Sequence, residues 1–540
     1  MQVLDCVKPT RLSFPIFMKK HFNFIICALL SAAAFGFSFI NANGPLTSLT
    51  IARTEAGLVL GIKNKTGDIT VFKGIPFAAP PVGDLRWKAP QPVKHWTGVK
   101  KCDAFGPSPM QAKPTPFMVY TSEFLIPEKP ISEDCLYLNV WTGAKSKAER
   151  RPVFVWIYGG GFTSGGSACP IYDGEALAKK GVIFVSINYR VGVFGFFAHP
   201  ELTKESDGKA SGNYGLLDQI AALQWVKKNI AAFGGDPNRV TIAGQSAGSM
   251  SVNALVASPL TKGLFSGAIS ESGSFTVNNP TLPAVSLEIA EAAGLKAADK
   301  VGAKSIADLR ALSSEDALKK LSGRYAPVVD GYVLPEPIPA IFAHNKENHV
   351  PVITGWNGEE FGSGPVKKED FIKQAQQQYG ADADKFLSYF PAKTDEQATV
   401  SAGKLSRDMV FALSGYNWAN IQSAYADAPI YVYNFNRKVP ASPDFVKYGA
   451  FHTGEVCYVM NNLKFLNNRP FGPIDYQLAN LASDYWVNFV KTGNPNGMGL
   501  PAWPKYTASE NLVKVFDAES KNEKLVDKDA LDFLLSKLGE

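Results

Sequence analysis

Ser246 sits in Gly244-Gln245-Ser246-Ala247-Gly248, directly after the β-rich run Val240-Thr241-Ile242-Ala243 and before a helix-forming segment. This spacing reads as a sharp strand-to-helix turn that pushes a serine hydroxyl out of a sheet, with glycines leaving room for neighbouring backbone. The chemistry open to such a serine is attack on a carbonyl carbon. Three further parts are then needed: a base for its proton, an acid to orient the base, and backbone N–H groups for the developing oxyanion. The amide of Ala247, at the start of the helix, is placed to supply one of those donors.

The base should be a histidine. In α/β-hydrolases the chain order is Ser, then Asp/Glu, then His. Residues 43–540 hold five histidines: His95, His199, His344, His349 and His452. His95 and His199 precede Ser246, and His344 and His349 fall in a polar stretch that reads as a solvated helix end and loop. His452, in Gly449-Ala450-Phe451-His452-Thr453-Gly454-Glu455, remains as the base candidate. The acid should follow a strand between Ser246 and His452. Val350-Pro351-Val352-Ile353-Thr354-Gly355 leads into Trp356-Asn357-Gly358-Glu359-Glu360, whose adjacent carboxylates cannot both point at one imidazole. The residue types alone do not choose between Glu359 and Glu360.

The elements that must position these groups alternate regularly. Leu136–Trp141, Val153–Tyr158 and Val182–Asn188 read as buried strands, with helical Glu175–Lys180 before the last. Gly159-Gly160-Gly161 directly follows the second of them, and its backbone can approach a tetrahedral intermediate closely and aim successive amides at one oxygen. Residues 213–233 have helical apolar spacing, the Ser246 strand follows, and Phe265–Ser270, Val350–Thr354 and Ile430–Phe435 are expected to complete the sheet. Residues 280–321 read as helices. Residues 57–71 suggest a small antiparallel sheet of hairpins, residues 73–83 read as irregular, and the loop-rich 105–132 as a pocket wall. The fold class expected is an α/β-hydrolase: a central, mostly parallel sheet flanked by helices, with a small N-terminal antiparallel sheet.

The N-terminus carries Lys19-Lys20, an apolar run from Phe24 to Ile40 and a polar break at Asn41-Ala42-Asn43-Gly44-Pro45, the pattern of a secretory signal peptide. Met18 is a candidate start, cleavage is expected after Ala42, and residues 43–540 are expected to form one catalytic domain, exported to the periplasm or medium without stable membrane insertion. Removing residues 1–42 takes four cations and one anion, lowering the formal charge from +6 to +3, too mild for a nucleic-acid partner. Cys102, Cys135, Cys169 and Cys457 would survive, none in a zinc-like spacing, and Cys102–Cys135 is the expected local disulfide pair.

With these parts assembled, the sequence resembles the type-B carboxylesterases, the family that includes acetylcholinesterase and the noncatalytic neuroligins. The resemblance covers nearly all of residues 50–510. It is carried by Gly74-Ile75-Pro76-Phe77-Ala78, Ser132-Glu133-Asp134-Cys135-Leu136-Tyr137-Leu138-Asn139-Val140, Tyr158-Gly159-Gly160-Gly161-Phe162 and Asn188-Tyr189-Arg190-Val191-Gly192. It continues through Gly212–Gln219, Phe233-Gly234-Gly235-Asp236-Pro237, the Ser246 turn, Glu271-Ser272-Gly273 and Lys491-Thr492-Gly493-Asn494-Pro495. The family's Asn-x-x-Glu implies Glu360 as the acid beside Ser246 and His452, with Glu359 next to it. The resemblance also implies oxyanion donors at Gly160, Gly161 and Ala247, a supporting serine at Ser272, and a buried Arg86–Glu133 ion pair.

Three departures from the family pattern stand out, the first two bearing on substrate and the third on a disulfide. Gln245 stands where a glutamate often precedes the nucleophile. The tryptophan that holds quaternary ammonium in cholinesterases falls at Leu125, which offers no π face. The usual disulfide partner of Cys135 falls near Pro109, making Cys102 a shifted substitute. Gln245 and Leu125 together disfavour choline esters. The resemblance implies a serine hydrolase of short-to-medium-chain carboxylic esters, needing no cofactor or metal. The same machinery would also serve a lipase-like acyltransferase or a specialised detoxifying or polyester hydrolase, and a neuroligin-like binding protein would lack the serine.

Overall fold

Short β-branched and aromatic runs build the centre of one mixed sheet of eleven strands, where strands buried along their whole length must be covered on both faces, while the edge strands are largely exposed. A computed structural model describes residues 49–206, 210–279, 283–425 and 427–538. The strands begin with β1 (Ile62–Lys63), β2 (Thr70–Pro76), β3 (Tyr137–Thr142) and β4 (Arg151–Ile157). Next come β5 (Ile183–Ile187), β6 (Gly235–Gln245), β7 (Gly267–Glu271) and β8 (Val352–Asn357), then β9 (Ile430–Phe435), β10 (Leu512–Phe516) and β11 (Lys521–Lys524). Their order across the sheet is β11-β10-β9-β8-β7-β6-β4-β5-β3-β2-β1. Pairings from β5 across to β10 are parallel, and the edges beyond are antiparallel.

The helices that matter for the site are α1 (Tyr214–Asn229), α2 (Ala247–Ala257), α3 (Leu287–Lys300), α4 (Leu413–Gln422) and α5 (Pro473–Thr492). Every residue of α2 is buried, as expected of a helix that is apolar or small-sided all round. A second, smaller core centred on Trp87, Phe194, Phe197 and Leu309 lies beneath α3 and the two short helices Ile306–Arg310 and Ser314–Lys320. Arg86 and Glu133 form a bidentate pair at 2.6 and 2.7 Å, and Arg86 Nη1 also donates to the carbonyl of Leu312 at 2.9 Å. That arrangement anchors the short helices to the loop before β3.

Several expectations change. The irregular reading of 73–83 is wrong for its first four residues, which continue β2; a register shift between Phe72 and Ile75 lets the strand pass through Gly74. The sheet does not end at β9, since β10 and β11 extend it by pairing too far along the chain for a local signal. The small N-terminal sheet is present, but only Ile51–Arg53 and Leu58–Leu60 pair antiparallel within it. Its third strand, Val99–Lys101, is parallel to Leu58–Leu60, and the β1–β2 hairpin joins the large sheet. The expected Cys102–Cys135 disulfide is absent: both are buried free thiols, as are Cys169 and Cys457. Cys102 is tied by its backbone to Leu60 and Lys73 at the small sheet, whereas Cys135 lies beside the Arg190–Asp218 pair, so the fold holds them in different neighbourhoods. Burial raises the Cys102 thiol to about 11, which makes it inert.

The signal-peptide reading, with Met18 and Ala42, lies outside the described residues. From Thr47 onward the chain is one compact unit. Among the described residues no helix is long and apolar enough to cross a membrane.

Candidate active site

Five neighbouring parallel strands, β9-β8-β7-β6-β4, bring their carboxyl ends to one edge of the sheet, where open α/β sheets bind ligands. Gln245, the last residue of β6, is in register with Glu271 at the end of β7, and Asn357 of β8 pairs with Phe435 of β9. Each chemistry-bearing segment is therefore the first loop after one of these strands. Ser246 has φ 59° and ψ −126°, a strained conformation for a residue with a Cβ. The strain is imposed by packing: α2 crosses so close to β4 that a Cβ at Gly248 would lie 2.1 Å from the carbonyl oxygen of Ile157.

Glu360 and His452 meet through loops after β8 and β9 that are laced together. The carbonyl of Ala450 accepts from the N–H groups of Glu359 and Glu360 at 3.2 Å each, and His452 N–H donates to the Glu360 carbonyl at 3.0 Å. The two adjacent carboxylates then diverge. Glu359 Oε2 accepts from the Ala450 amide at 2.7 Å and holds the histidine loop, whereas Glu360 Oε2 lies 2.6 Å from His452 Nδ1. The other Glu360 oxygen accepts from the Asn357 amide and the Ser272 hydroxyl, both at 2.8 Å. With Nδ1–H donated to the carboxylate, Nε2 carries the lone pair. His344, by contrast, caps a short helix and faces Glu336, and His349 stacks on Tyr425.

Residue types alone gave no sign of three groups that fix the imidazole. Tyr120 donates its hydroxyl to the His452 carbonyl at 2.8 Å. The rings of Phe361 and Phe411 lie 4.5 and 4.6 Å from the imidazole, Phe411 carried on a π-helical turn, Asp408–Ala412, just before α4. These contacts span tens to hundreds of residues of chain, so no local pattern announces them. They also relocate the 105–132 stretch. It backs the histidine rather than lining the cavity that opens on Ser246, whose walls come from residues 161–163, 196–198, 275–278, 283–300, 322–339 and 410–411. Leu125 is likewise not part of that cavity.

The glycine loop after β4 brings up the remaining parts. The Gly160 carbonyl accepts from the N–H groups of Thr163 and Ser164 at 3.1 Å each. Because the peptide is trans, the Gly161 N–H of the same peptide group points the opposite way, and Gly161 lines the cavity together with Ser246 and Ala247. Ala247 is the first residue of α2, where an N–H has no acceptor within its own helix.

A carboxylesterase-family model matches residues 48–534. The chain belongs to the carboxylesterase family. It is 36% identical over 474 residues to a fumonisin B1 esterase of Sphingopyxis macrogoltabida, covering 84% of each chain. It is 34% identical over 528 residues to the human cocaine esterase, covering 90% of this chain and 92% of the relative. It is 33% identical over 564 residues to mouse carboxylesterase 1E, covering 93% and 95%. The protein is a carboxylic ester hydrolase with an α/β-hydrolase fold, and its relatives act on small-molecule esters.

Gln245 lies against the imidazole of His452 in this esterase. Its amide nitrogen is 3.1 Å from His452 Nε2 and 3.4 Å from Nδ1, while its Oε1 accepts from the Thr453 hydroxyl at 3.2 Å. Near-equal distances to the two ring nitrogens place the amide over a face of the imidazole, not along the Nε2 lone pair. A negative charge there would stabilise the imidazolium and delay loss of its proton. Gln245→Glu is therefore expected to move the acid limb of the kcat/KM pH profile to higher pH, by up to about one unit. An unmoved limb would show that residue 245 is electrostatically remote from the group that sets the acid limb.

Two further acids of the esterase are buried behind Glu360. Burial pushes the Glu271 carboxyl up to about 8, against the opposing hydrogen bond from Trp486 of α5 at 2.7 Å. Burial, then the charges of Glu271 and Glu360, hold Glu455 well above the usual carboxylate range. Kept protonated, both spare Glu360 a like-charged neighbour. Folded Glu271 retains its proton while an unfolded glutamate loses it near pH 4.5, so this group makes stability fall as pH rises from there to about 8. Thermal melts of Glu271→Gln should show its Tm relative to wild type rising by roughly a few degrees between pH 5 and pH 8. A constant difference would mean that Glu271 ionises normally.

Proposed function

We propose that this esterase hydrolyses carboxylic esters through an acyl-enzyme formed on Ser246, with His452 as general base and Glu360 as its orienting acid. The observation that carries this is the 2.6 Å contact of Glu360 with His452 Nδ1, beside a serine held at positive φ on the same sheet edge. His452 Nε2 takes the Ser246 proton as the hydroxyl attacks the ester carbonyl, and the oxyanion is met by the amides of Gly160, Gly161 and Ala247. The imidazolium then gives its proton to the leaving alcohol. Water enters, loses a proton to Nε2 and attacks the acyl-enzyme; collapse returns the serine and frees the acid. Each oxyanion donor is worth about 10²–10³ in rate.

A cavity of about 730 Å³, lined near the serine by Met250, Phe275 and Phe411, supports short-to-medium acyl chains as substrates. Hydrolysis of p-nitrophenyl acetate, butyrate and octanoate tests the reading, with mass spectrometry of a quenched reaction. A butyryl adduct on Ser246 and a kcat/KM maximum at or below eight carbons are expected. An adduct elsewhere, or preference for much longer chains, would favour different chemistry or a lipase. Export after cleavage at Ala42, supported by Lys19-Lys20 and the apolar run to Ile40, forms part of the same proposal and is read directly by N-terminal sequencing of the secreted protein.

A further inference from the structure

The cavity on Ser246 is apolar at the serine and cationic elsewhere. Among the described residues its only charged lining groups are Lys296, Lys300 and Arg324; no aspartate or glutamate reaches it. The two lysines belong to α3, and the cavity face of that helix includes Ile289, Ala293, Lys296 and Lys300, spaced at i, i+4, i+7 and i+11, with small residues between them. The helix carries acids as well, at Glu288, Glu291 and Asp299, but none lines the cavity, and Glu291 accepts from the Thr203 hydroxyl. Charge is thus sorted by face.

The placement of α3 is close and specific. A Cβ at Gly294 would lie 1.9 Å from the carbonyl oxygen of Ala198, so the helix rests directly on the backbone of the cavity wall. Two like charges at i, i+4 work against a helix. Among the described residues neither lysine has an ion pair or hydrogen bond that would offset this. Both side chains are exposed to solvent at the rim of the cavity and are free to meet an anionic group that enters it.

We propose that the esters this protein prefers carry a carboxylate on the portion that extends along the cavity, met by Lys296 and Lys300 while the ester group lies at Ser246. This rests on the ester-hydrolase reading of the Ser246 site and deepens it. The carboxylate is a spectator: water is consumed, the ester bond breaks, and no charge on the distal group changes. Cations at the mouth of a low-dielectric cavity raise the local concentration of an anionic substrate, so the effect falls mainly on KM and weakens with salt.

The test compares p-nitrophenyl monoesters of straight dicarboxylic acids, from succinate to suberate, with the same esters methyl-capped at the far end. Wild type is expected to favour the free carboxylate at one chain length by about tenfold in kcat/KM at low salt, the upper end for two solvent-exposed charges. High salt should erode the preference. In Lys296→Met/Lys300→Met the ratio should collapse toward one through KM, and Lys296→Arg/Lys300→Arg should retain it. A general folding defect lowers both rates and leaves the ratio intact, so the ratio is the readout. Ser246-dependent turnover with no carboxylate preference at any length, or a preference that survives in the methionine variant, overturns the proposal alone. Turnover of neither ester series that depends on Ser246 overturns the reading beneath it.

Discussion

Ser246→Ala is expected to lower kcat on p-nitrophenyl butyrate by about 10⁴–10⁶-fold while leaving the protein folded, the scale of losing a serine nucleophile. No neighbouring hydroxyl can take over. Ser249 donates to the Gly273 carbonyl at 2.6 Å and pairs with Ser270, and Ser272 is committed to Glu360. The residual rate would come from the oxyanion donors and the cavity alone. Folding should survive because alanine keeps the same backbone demand at φ 59°, and α2 packs through residues other than the serine. Ser246→Gly, equally inactive, should be more stable than the alanine variant by about 1 kcal/mol, since glycine relieves the strain. Activity above a hundredth of wild type in the alanine variant, with contaminating esterase excluded, would remove Ser246 from the mechanism.

Glu360→Gln should cost about 10³–10⁴-fold in kcat with little change in KM or fold, and the reason lies in its hydrogen bonds. In the carboxylate, Oε1 accepts two donors, the Asn357 amide and the Ser272 hydroxyl, and Oε2 accepts His452 Nδ1–H. Glutamine keeps the two donors satisfied only with its carbonyl oxygen at the Oε1 position. Its NH₂ group then faces Nδ1 and must donate to it. That drives the imidazole proton to Nε2, and a protonated Nε2 cannot accept from Ser246. Glu359→Gln is the contrast: its carboxylate meets a backbone amide that a glutamine carbonyl can also satisfy, so its loss should be less than about tenfold. If the two variants behave alike, the orientation of the imidazole does not depend on Glu360.

The contrast between adjacent glutamates marks where reading of the chain reaches its limit. Nothing in the types of Glu359 and Glu360 separates them, and only the family's Asn-x-x-Glu spacing pointed to the second. Their divergence is produced by Ala450, whose amide takes one carboxylate and whose carbonyl takes both N–H groups. That residue is distant in sequence and becomes a neighbour only when β8 and β9 pair. The same holds for Tyr120, Phe361 and Phe411 around His452, and for Trp486 against Glu271.

Local backbone events were legible in the chain alone: the strand-to-helix turn at Ser246, the glycine loop after β4, the alternation that builds a parallel sheet, and the chain order of serine, carboxylate and histidine. These are encoded within a few residues by backbone sterics and apolar periodicity, so they survive without knowledge of the rest of the molecule. The folded molecule shows how one of two adjacent carboxylates reaches the imidazole, that Cys102 and Cys135 stay apart as thiols, that residues 105–132 brace the histidine instead of walling the cavity, and that α3 presents its lysines there. Each of those depends on side-chain direction across contacts far apart in the chain, which packing and hydrogen-bond satisfaction resolve only once the sheet is assembled.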